Sequence, residues 1–122
     1  MLITFYGVRG STAVPGPATV KYGGNTSCVH IELDSGNDLI LDAGTGIRLL
    51  GQRLAHKSNP ANILLSHGHW DHIQGYPFFA PIYQPDRDIN VYISVESGRK
   101  LLSSLFEQMD GTSFPVRVAD LP

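Results

Sequence analysis

Four side chains of metal-ligand type lie within six consecutive positions of the stretch LLSHGHWDHIQG, residues 64–75. They are His67, His69, Asp71 and His72, which we call the metal-ligand motif. The first three alternate, so in an extended segment their side chains point to the same side. If the chain then turns helical, His72 shares a face with His69, three residues earlier. Imidazole nitrogen binds zinc, and iron or manganese in mixed sites, while a carboxylate supplies oxygen and negative charge.

The spacing of this motif predicts a metal site more strongly than a histidine-rich surface loop. We expect His67 and His69 to serve one ion, and Asp71 and His72 to serve its neighbour. A single histidine would be better explained as a core residue bonded to a main-chain carbonyl. Four ligand-type residues behind a buried strand favour metal binding.

The elements around the motif predict a sheet with helices packed against it. Strands with β-branched or alternating residues are predicted at 2–8, 26–33, 38–44, 62–66 and 89–95, with a hairpin turn at 35–37. Helices with apolar residues at helical spacing are predicted at 46–57 and from a Ser97 cap to Met109. The first three strands form a predicted meander, and a helix crossing to the next strand favours a helix-covered sheet.

Composition narrows the class of protein. The chain has 122 residues, 42% hydrophobic and 16% charged, as expected for one small globular domain. The formal net charge is -2 and no run of Lys or Arg occurs, so no strong nucleic-acid patch is predicted. Neither a signal peptide nor a stretch long enough to span a membrane is present, so we expect a soluble, cytoplasmic protein. The single cysteine, Cys28, excludes an internal disulfide framework and is predicted to be a buried hydrophobe.

The metal-ligand motif reads H-x-H-x-D-H and follows an aliphatic strand, and in this the sequence resembles the metallo-β-lactamase superfamily. Two further segments support the resemblance. LILDAGTG (39–46) is similar to the superfamily's strand that ends in Asp-x-Gly. Residues 5–31 are similar to the N-terminal loop and "NTS" strand of the branch that contains ribonuclease Z and small phosphodiesterases.

The resemblance implies a fold and a reaction. The fold is of the α/β (α+β) class, an αββα sandwich of which residues 1–122 supply about one half. Two divalent metal ions, zinc with manganese or iron as alternatives, would activate a bridging water for hydrolysis of a small-molecule or nucleotide phosphodiester. Asp71 would be the catalytic residue as well as a ligand, by accepting a hydrogen bond from the nucleophile. Asp42 would orient the metal-binding loop without ligating.

Two glycine-rich loops, 7–16 and 22–27, lack the Lys-Ser/Thr ending of a P-loop. Their glycines are explained by turn chemistry alone. The functional alternative is that Arg9 and Asn25 line a substrate pocket and contact an anionic group.

Aromatic residues near the motif are predicted to serve packing. Trp70, between the ligands, is expected to pack under the loop. Phe78, in the apolar stretch GYPFFAPIY (75–83), is expected to join the core. For Tyr83 two locations are both compatible with the sequence, the core and the wall of a pocket.

The sequence departs from the superfamily after His72, because no later histidine is present to complete the site. His30 and His56 are predicted not to ligate, since they lie in a strand and at a helix end. We therefore interpret residues 1–122 as the N-terminal part of one incomplete domain, with little hydrolysis on its own. The uncovered sheet face then predicts a homo-oligomer or a missing C-terminal half as its partner. The alternatives are a non-catalytic metal-binding or interaction half-domain, and a thioester hydrolase of the same superfamily.

Overall fold

A computed structural model describes residues 1–94 and 98–122 of the chain. The strands in these ranges are β1 (Leu2–Gly7), β2 (Cys28–Glu32), β3 (Asp38–Leu41), β4 (Ala61–Leu65) and β5 (Ile89–Ile93). The α-helices are α1 (Ile47–Leu54), α2 (Trp70–Ile73) and α3 (Gly98–Glu107), and 3-10 turns lie at Pro17–Thr19, Tyr76–Phe78, Ala80–Tyr83 and Val118–Asp120. The predicted strands and helices are confirmed. The predicted Ser97 cap and the strand end at Val95 lie outside the described residues.

One mixed sheet holds the described strands in the order β1–β2–β3–β4–β5. The first three pair antiparallel, as the predicted meander requires. The hairpin between β2 and β3 closes where the amide of Leu33 donates to the carbonyl of Asn37 at 3.0 Å. Gly36 has φ 84°, a conformation that glycine adopts without steric cost. β3, β4 and β5 pair parallel, and α1 supplies the crossover between the first two of these.

The core lies on one face of the sheet, under α1 and α3. Alternate residues of the central strands point to this face, and helix residues at i, i+3 and i+4 spacing meet them. The fully buried apolar residues here include Cys28, Ile40, Ala61, Ile63, Ile47, Leu50, Leu54 and Leu105. The predictions that Cys28 is buried and that α1 turns one apolar stripe inward are confirmed.

The opposite face of the sheet is apolar and open within the described residues. Phe5 of β1 is 67% exposed and Tyr92 of β5 is 52% exposed. Between these outer strands, Val29, Leu41 and Leu64 continue the same face, because paired residues of neighbouring strands share a side. A five-stranded mixed sheet with helices on one face confirms the predicted α/β class and is consistent with part of an αββα sandwich. That residues 1–122 are one half of a longer domain stays a prediction.

A buried polar cluster lies at the start of β3. The Asp38 side chain is fully buried, and its Oδ1 lies 2.8 Å from Nε2 of His30 and 3.1 Å from Nζ of Lys57. Arg87 approaches Oδ2 of Asp38 at 3.8 Å and donates to the main-chain carbonyl of Leu54 at 2.6 Å. His30 is therefore engaged by a carboxylate inside the core.

The prediction that Phe78 joins the core is wrong, because this side chain is 55% exposed. Phe78 lies in a 3-10 turn, where residues three apart share a side. Tyr76 and Phe79 take the inward positions, and Phe78 instead packs edge-on against Phe114 with ring centroids 5.3 Å apart. The hydroxyl of Tyr83 donates to the carbonyl of Pro77 at 2.6 Å.

In the two described ranges, no helix combines the length and the apolar character needed to cross a membrane.

Candidate metal centre

The metal-ligand motif begins directly after β4, which ends at Leu65. His69 is extended, with φ -66° and ψ 146°, and α2 starts at the next residue. The change from extended to helical backbone therefore falls inside the motif, which is the condition stated above for His72 to join the other ligands. Its effect is to bring three imidazoles together. The ring centroid of His67 lies 4.5 Å from that of His69 and 4.1 Å from that of His72.

Asp42 is placed directly beneath these imidazoles. It follows β3 and has φ 63°, in the left-handed region that Asp tolerates better than most residues. Its Oδ1 accepts hydrogen bonds from the amide and the hydroxyl of Ser66, both at 2.8 Å. Its Oδ2 lies 2.8 Å from Nδ1 of His72 and 3.1 Å from the hydroxyl of Ser27. Asp42 thus joins the end of β3 to both ends of the motif.

The carboxylate of Asp42 determines which imidazole nitrogens are left free. An ionised carboxylate only accepts, so Nδ1 of His72 is the donor in their contact and Nε2 is the ring nitrogen left for an ion. The Ser66 hydroxyl donates to Asp42, so its oxygen accepts from Nδ1 of His67, 3.0 Å away. Asp42 therefore orients His72 directly and His67 through Ser66.

The pKa of Asp42 reflects this environment. Burial alone would raise it, but the hydrogen bonds from the Ser66 amide, from His72 and from the Ser66 hydroxyl outweigh burial and hold the pKa below its usual value. The group is therefore ionised at neutral pH and remains an acceptor.

Asp71 faces the same imidazoles from α2. Its Oδ2 lies 3.4 Å from Nε2 of His72 and accepts a hydrogen bond from the main-chain amide of Ser11 at 2.8 Å. The Ser11 bond is the main reason that the pKa of Asp71 lies below its usual value, and it outweighs burial, which would raise it. Ser11 also ties the N-terminal loop to the motif, across 60 positions of sequence.

Two glycines allow the loops that carry Asp42 and the motif to touch. A Cβ atom on Gly44 would lie 2.4 Å from the carbonyl oxygen of Asp71, and one on Gly75 would lie 2.0 Å from the carbonyl oxygen of Gly44. Main-chain bonds lock this contact, with the Ala43 amide donating to the carbonyl of His72 at 2.7 Å. Any side chain at these glycines would separate the loops.

Sequence reasoning missed the supporting residues of this centre. These residues are not of the His, Cys, Asp or Glu types from which a metal site was predicted. They are Ser66, Ser11, Gly44 and Gly75. One local signal was available, because Ser66 directly precedes the motif and Gly75 follows its last residue by three positions.

The prediction that Trp70 packs under the loop is wrong, because its side chain is 71% exposed. α2 turns His72 and Ile73 towards the protein, and Ile73 fills the core with only 3% of its surface exposed. The first residue of this short helix is thereby left on the outside.

The two predicted pocket residues lie in different surroundings. Arg9 lines a cavity of about 320 Å³ in the N-terminal loop. The carbonyl of Asn25 accepts the amides of Val8 and Arg9, each at 3.1 Å, and its side-chain oxygen accepts from Thr45 at 3.2 Å. Asn25 therefore braces the loop that carries Arg9, and contact of either residue with substrate stays a prediction.

The donor atoms fit part of a metal site. Two donors that each lie about 2.1 Å from a tetrahedral ion stand about 3.4 Å apart. Nε2 of His72 and Oδ2 of Asp71 have this separation, 3.4 Å. Across residues 1–94 and 98–122, however, no three or more His, Cys, Asp or Glu side chains are grouped so that they could hold an ion. The donor types and their pairwise spacing fit a divalent ion, and the described residues supply an incomplete set of ligands for it.

A comparison with protein families bears on this arrangement. The family model described as "Metallo-beta-lactamase superfamily" matches residues 22–116, which include Asp42 and the whole motif. The chain belongs to the metallo-beta-lactamase superfamily. Searches of curated proteins and of solved structures returned no significant match. Membership of the metallo-beta-lactamase superfamily indicates a metal-dependent hydrolase at that level, and members of this superfamily typically bind divalent metals.

Proposed function

We propose that the chain is a metal-dependent phosphodiesterase whose ions are held by His67, His69, Asp71 and His72. The observation that carries the proposal is the position of His72 between two carboxylates. Its Nδ1 lies 2.8 Å from the buried Asp42, and its Nε2 lies 3.4 Å from Asp71. Metal-binding histidines commonly give one nitrogen to the ion and the other to a carboxylate that fixes the ring.

The choice of a phosphodiester substrate follows from the sequence. The N-terminal loop and its "NTS" strand resemble the branch that contains ribonuclease Z and small phosphodiesterases. The structure adds that this loop reaches the motif, through the bond from the Ser11 amide to Asp71. A small-molecule or nucleotide phosphodiester is therefore the proposed substrate class. The cytoplasmic location is likewise a proposal from the sequence.

In this proposal the metal ions, Asp42 and Asp71 have separate roles in hydrolysis. Divalent ions, when bound, would supply Lewis-acid activation of water and of the phosphorus centre. We propose two ions, zinc with manganese or iron as alternatives. Asp42 holds the free nitrogens of His67 and His72 towards the site. Asp71, kept ionised by its lowered pKa, accepts a hydrogen bond from the attacking water and orients it.

One observation favours a second candidate. The incomplete ligand set among the described residues suits a non-catalytic metal-binding half-domain. A thioester hydrolase of the same superfamily would share the motif and would differ in its substrate alone.

Metal content tests the proposed ligands. The protein is dialysed against a mild chelator and its zinc, manganese and iron are measured by elemental analysis. The double variant His67→Ala, His69→Ala should lose most of the metal that the wild type retains. The matched control is His56→Ala, which removes an exposed histidine outside the motif and should keep the metal. Equal metal content in the wild type and the double variant would show that His67 and His69 are not metal ligands.

Turnover tests the reaction class. Hydrolysis of bis(p-nitrophenyl) phosphate is compared with that of a thioester, for this chain and for any longer chain that supplies further His and Asp ligands. Little turnover is expected from the 122 residues alone, and metal-dependent phosphodiester hydrolysis is expected from the completed protein. In that protein Asp71→Ala should abolish turnover and leave the fold intact. Thioester turnover without phosphodiester turnover would replace the proposed reaction, and metal binding without either would establish the non-catalytic alternative.

A further inference from the structure

The N-terminal loop forms an open cavity that the proposed hydrolysis does not use. Its volume is about 320 Å³, and the residues that matter for its chemistry are Arg9, Lys21 and Tyr22. The 3-10 turn at Pro17–Thr19 forms part of the wall and is closed by the Thr19 amide, which donates to the carbonyl of Gly16 at 3.1 Å. The next turn is closed by the Gly23 amide, which donates to the carbonyl of Thr19 at 2.8 Å. The cavity is thus built by the loop's own backbone.

The loop holds this shape through main-chain contacts. The amide of Val14 donates to the carbonyl of Gly24 at 2.9 Å. A Cβ atom on Gly24 would lie only 2.1 Å from the carbonyl oxygen of Val14, so the two segments of the loop that contain Val14 and Gly24 are in direct backbone contact. The amide of Arg9 donates to Asn25, and Arg9 forms an isolated bridge with Thr26. A ligand would meet a preformed pocket and would lose little binding energy to ordering the loop.

Two cations face this cavity without a carboxylate partner in the described part of the chain. Four other Lys or Arg side chains in the described ranges are in ion pairs, for example Lys57 with Glu32 and Asp38, and Arg117 with Asp120. No ion pair between described residues involves Arg9 or Lys21.

The guanidinium of Arg9 also contains an unsatisfied hydrogen-bond donor. Its Nε is buried and has no hydrogen-bond partner among the described residues. A buried donor without an acceptor is costly, so a turn of the guanidinium that brings Nε to a ligand oxygen in the cavity would be favoured. The ammonium of Lys21 lies 5.0 Å from the centre of the Tyr22 ring, an attractive contact between two residues that both line the cavity.

The cavity and the metal-ligand motif share one short piece of chain. Ser11, whose amide binds Asp71, lies two residues after Arg9. Two residues of extended chain span at most about 7 Å. The backbone of Arg9 is therefore within about 7 Å of the residue that contacts the motif, a distance that a nucleotide-sized substrate can bridge.

We infer that this cavity binds a second phosphate group of the substrate, beside the scissile phosphodiester at the motif. The planar fork of an arginine matches two phosphate oxygens, and a lysine adds a second positive charge, so a phosphomonoester dianion suits this pair of cations. The inference rests on the proposed function and narrows its substrate class to phosphodiesters that carry a further phosphate.

The test compares two dinucleotides that differ only by a terminal phosphate, TpT and 5′-phosphorylated pTpT. Binding to the 122-residue protein is measured by calorimetry at low ionic strength, with chelator present so that metal does not contribute. We expect pTpT to bind at least about tenfold more tightly than TpT, as charge-assisted contacts provide. The amides of Gly10 and Gly23, which line the cavity, should shift in the NMR spectrum with pTpT and not with TpT.

Variants assign the preference to the cavity. Arg9→Gln with Lys21→Gln should abolish it, whereas Arg99→Gln with Lys100→Gln makes the same change of charge on exposed residues of α3 and should preserve it. If the first pair does not fold, Lys21→Gln alone suffices, because Lys21 is exposed, and it should reduce the preference about threefold. Equal affinity for both dinucleotides, or an unchanged preference in the Arg9 and Lys21 variants, would overturn the inference.

The two proposals fail separately. Bis(p-nitrophenyl) phosphate has no second phosphate, so its hydrolysis reports on the metal site alone. Absent hydrolysis in the completed protein together with an intact preference for pTpT would remove the phosphodiesterase and leave a phosphate-binding cavity. Hydrolysis without any preference for pTpT would keep the phosphodiesterase and remove the second phosphate site.

Discussion

Replacement of Asp42 should affect the fold and the metal site together. Asp42→Ala removes the acceptor for the Ser66 amide and for Nδ1 of His72, each 2.8 Å away. Loss of one partner of a buried hydrogen bond costs about 1–3 kcal/mol, and left-handed backbone at Ala costs about 1 kcal/mol. We expect the free energy of unfolding of the metal-free protein to fall by about 3 kcal/mol. Asp42→Asn keeps one acceptor oxygen and tolerates the left-handed backbone, so its loss should be smaller, about 1–2 kcal/mol.

The same substitutions should weaken metal binding, because Asp42 orients His72 directly and His67 through Ser66. Loss of a carboxylate that orients a ligand histidine typically lowers metal affinity by about 10–100-fold. Both the Asp42→Ala and the Asp42→Asn variant should show this fall, since a neutral side-chain amide is a weaker acceptor than a carboxylate for the imidazole donor.

Urea unfolding of the metal-free variants measures the first effect, and competition with a chromogenic chelator measures the second. Asp86→Asn is the matched control, because it removes one negative charge from an exposed loop. If Asp42→Ala unfolds within about 0.5 kcal/mol of the wild type and binds zinc equally well, the reasoning that places Asp42 at the base of the site is wrong.

Three further outcomes are expected. Burial, with the negative charge of Asp42 as a smaller cause, raises the pKa of the Cys28 thiol to about 12. Ellman's reagent at pH 8 should therefore react with Cys28 only when the protein unfolds. Rapid labelling of the native protein would contradict the burial of this thiol. Arg87→Ala should lower the free energy of unfolding by about 3 kcal/mol, measured in urea, because it leaves the buried Asp38 without one of its cations. The open sheet face should make the chain self-associate, and the double variant Phe5→Ser, Tyr92→Ser should move the mass measured by sedimentation towards the monomer; an unchanged mass distribution would place self-association elsewhere.

The sequence by itself determined the local features of this protein. Alternation with a period of two identified β2, and the inward stripe of α1 followed from its helical spacing. The order of residue types from His67 to His72 predicted the ligand cluster, because these side chains are close in sequence and any compact loop keeps them close. The family match later included the same segment.

Only the tertiary structure decided how distant segments meet at the site. Asp42 lies 30 positions from His72, and Ser11 lies 60 positions from Asp71, so no local period relates them. Their contacts depend on parallel strands that end at one edge of the sheet and on the absence of side chains at Gly44 and Gly75.

The same reason explains the two wrong predictions for aromatic residues. Hydrophobicity predicts that a side chain such as Trp70 or Phe78 is buried, but burial needs a second surface to pack against. α2 and the following 3-10 turn direct their inward positions to Ile73, Tyr76 and Phe79. Which residues receive those positions depends on where each turn of the chain meets the sheet, and the sequence carries no local signal for that.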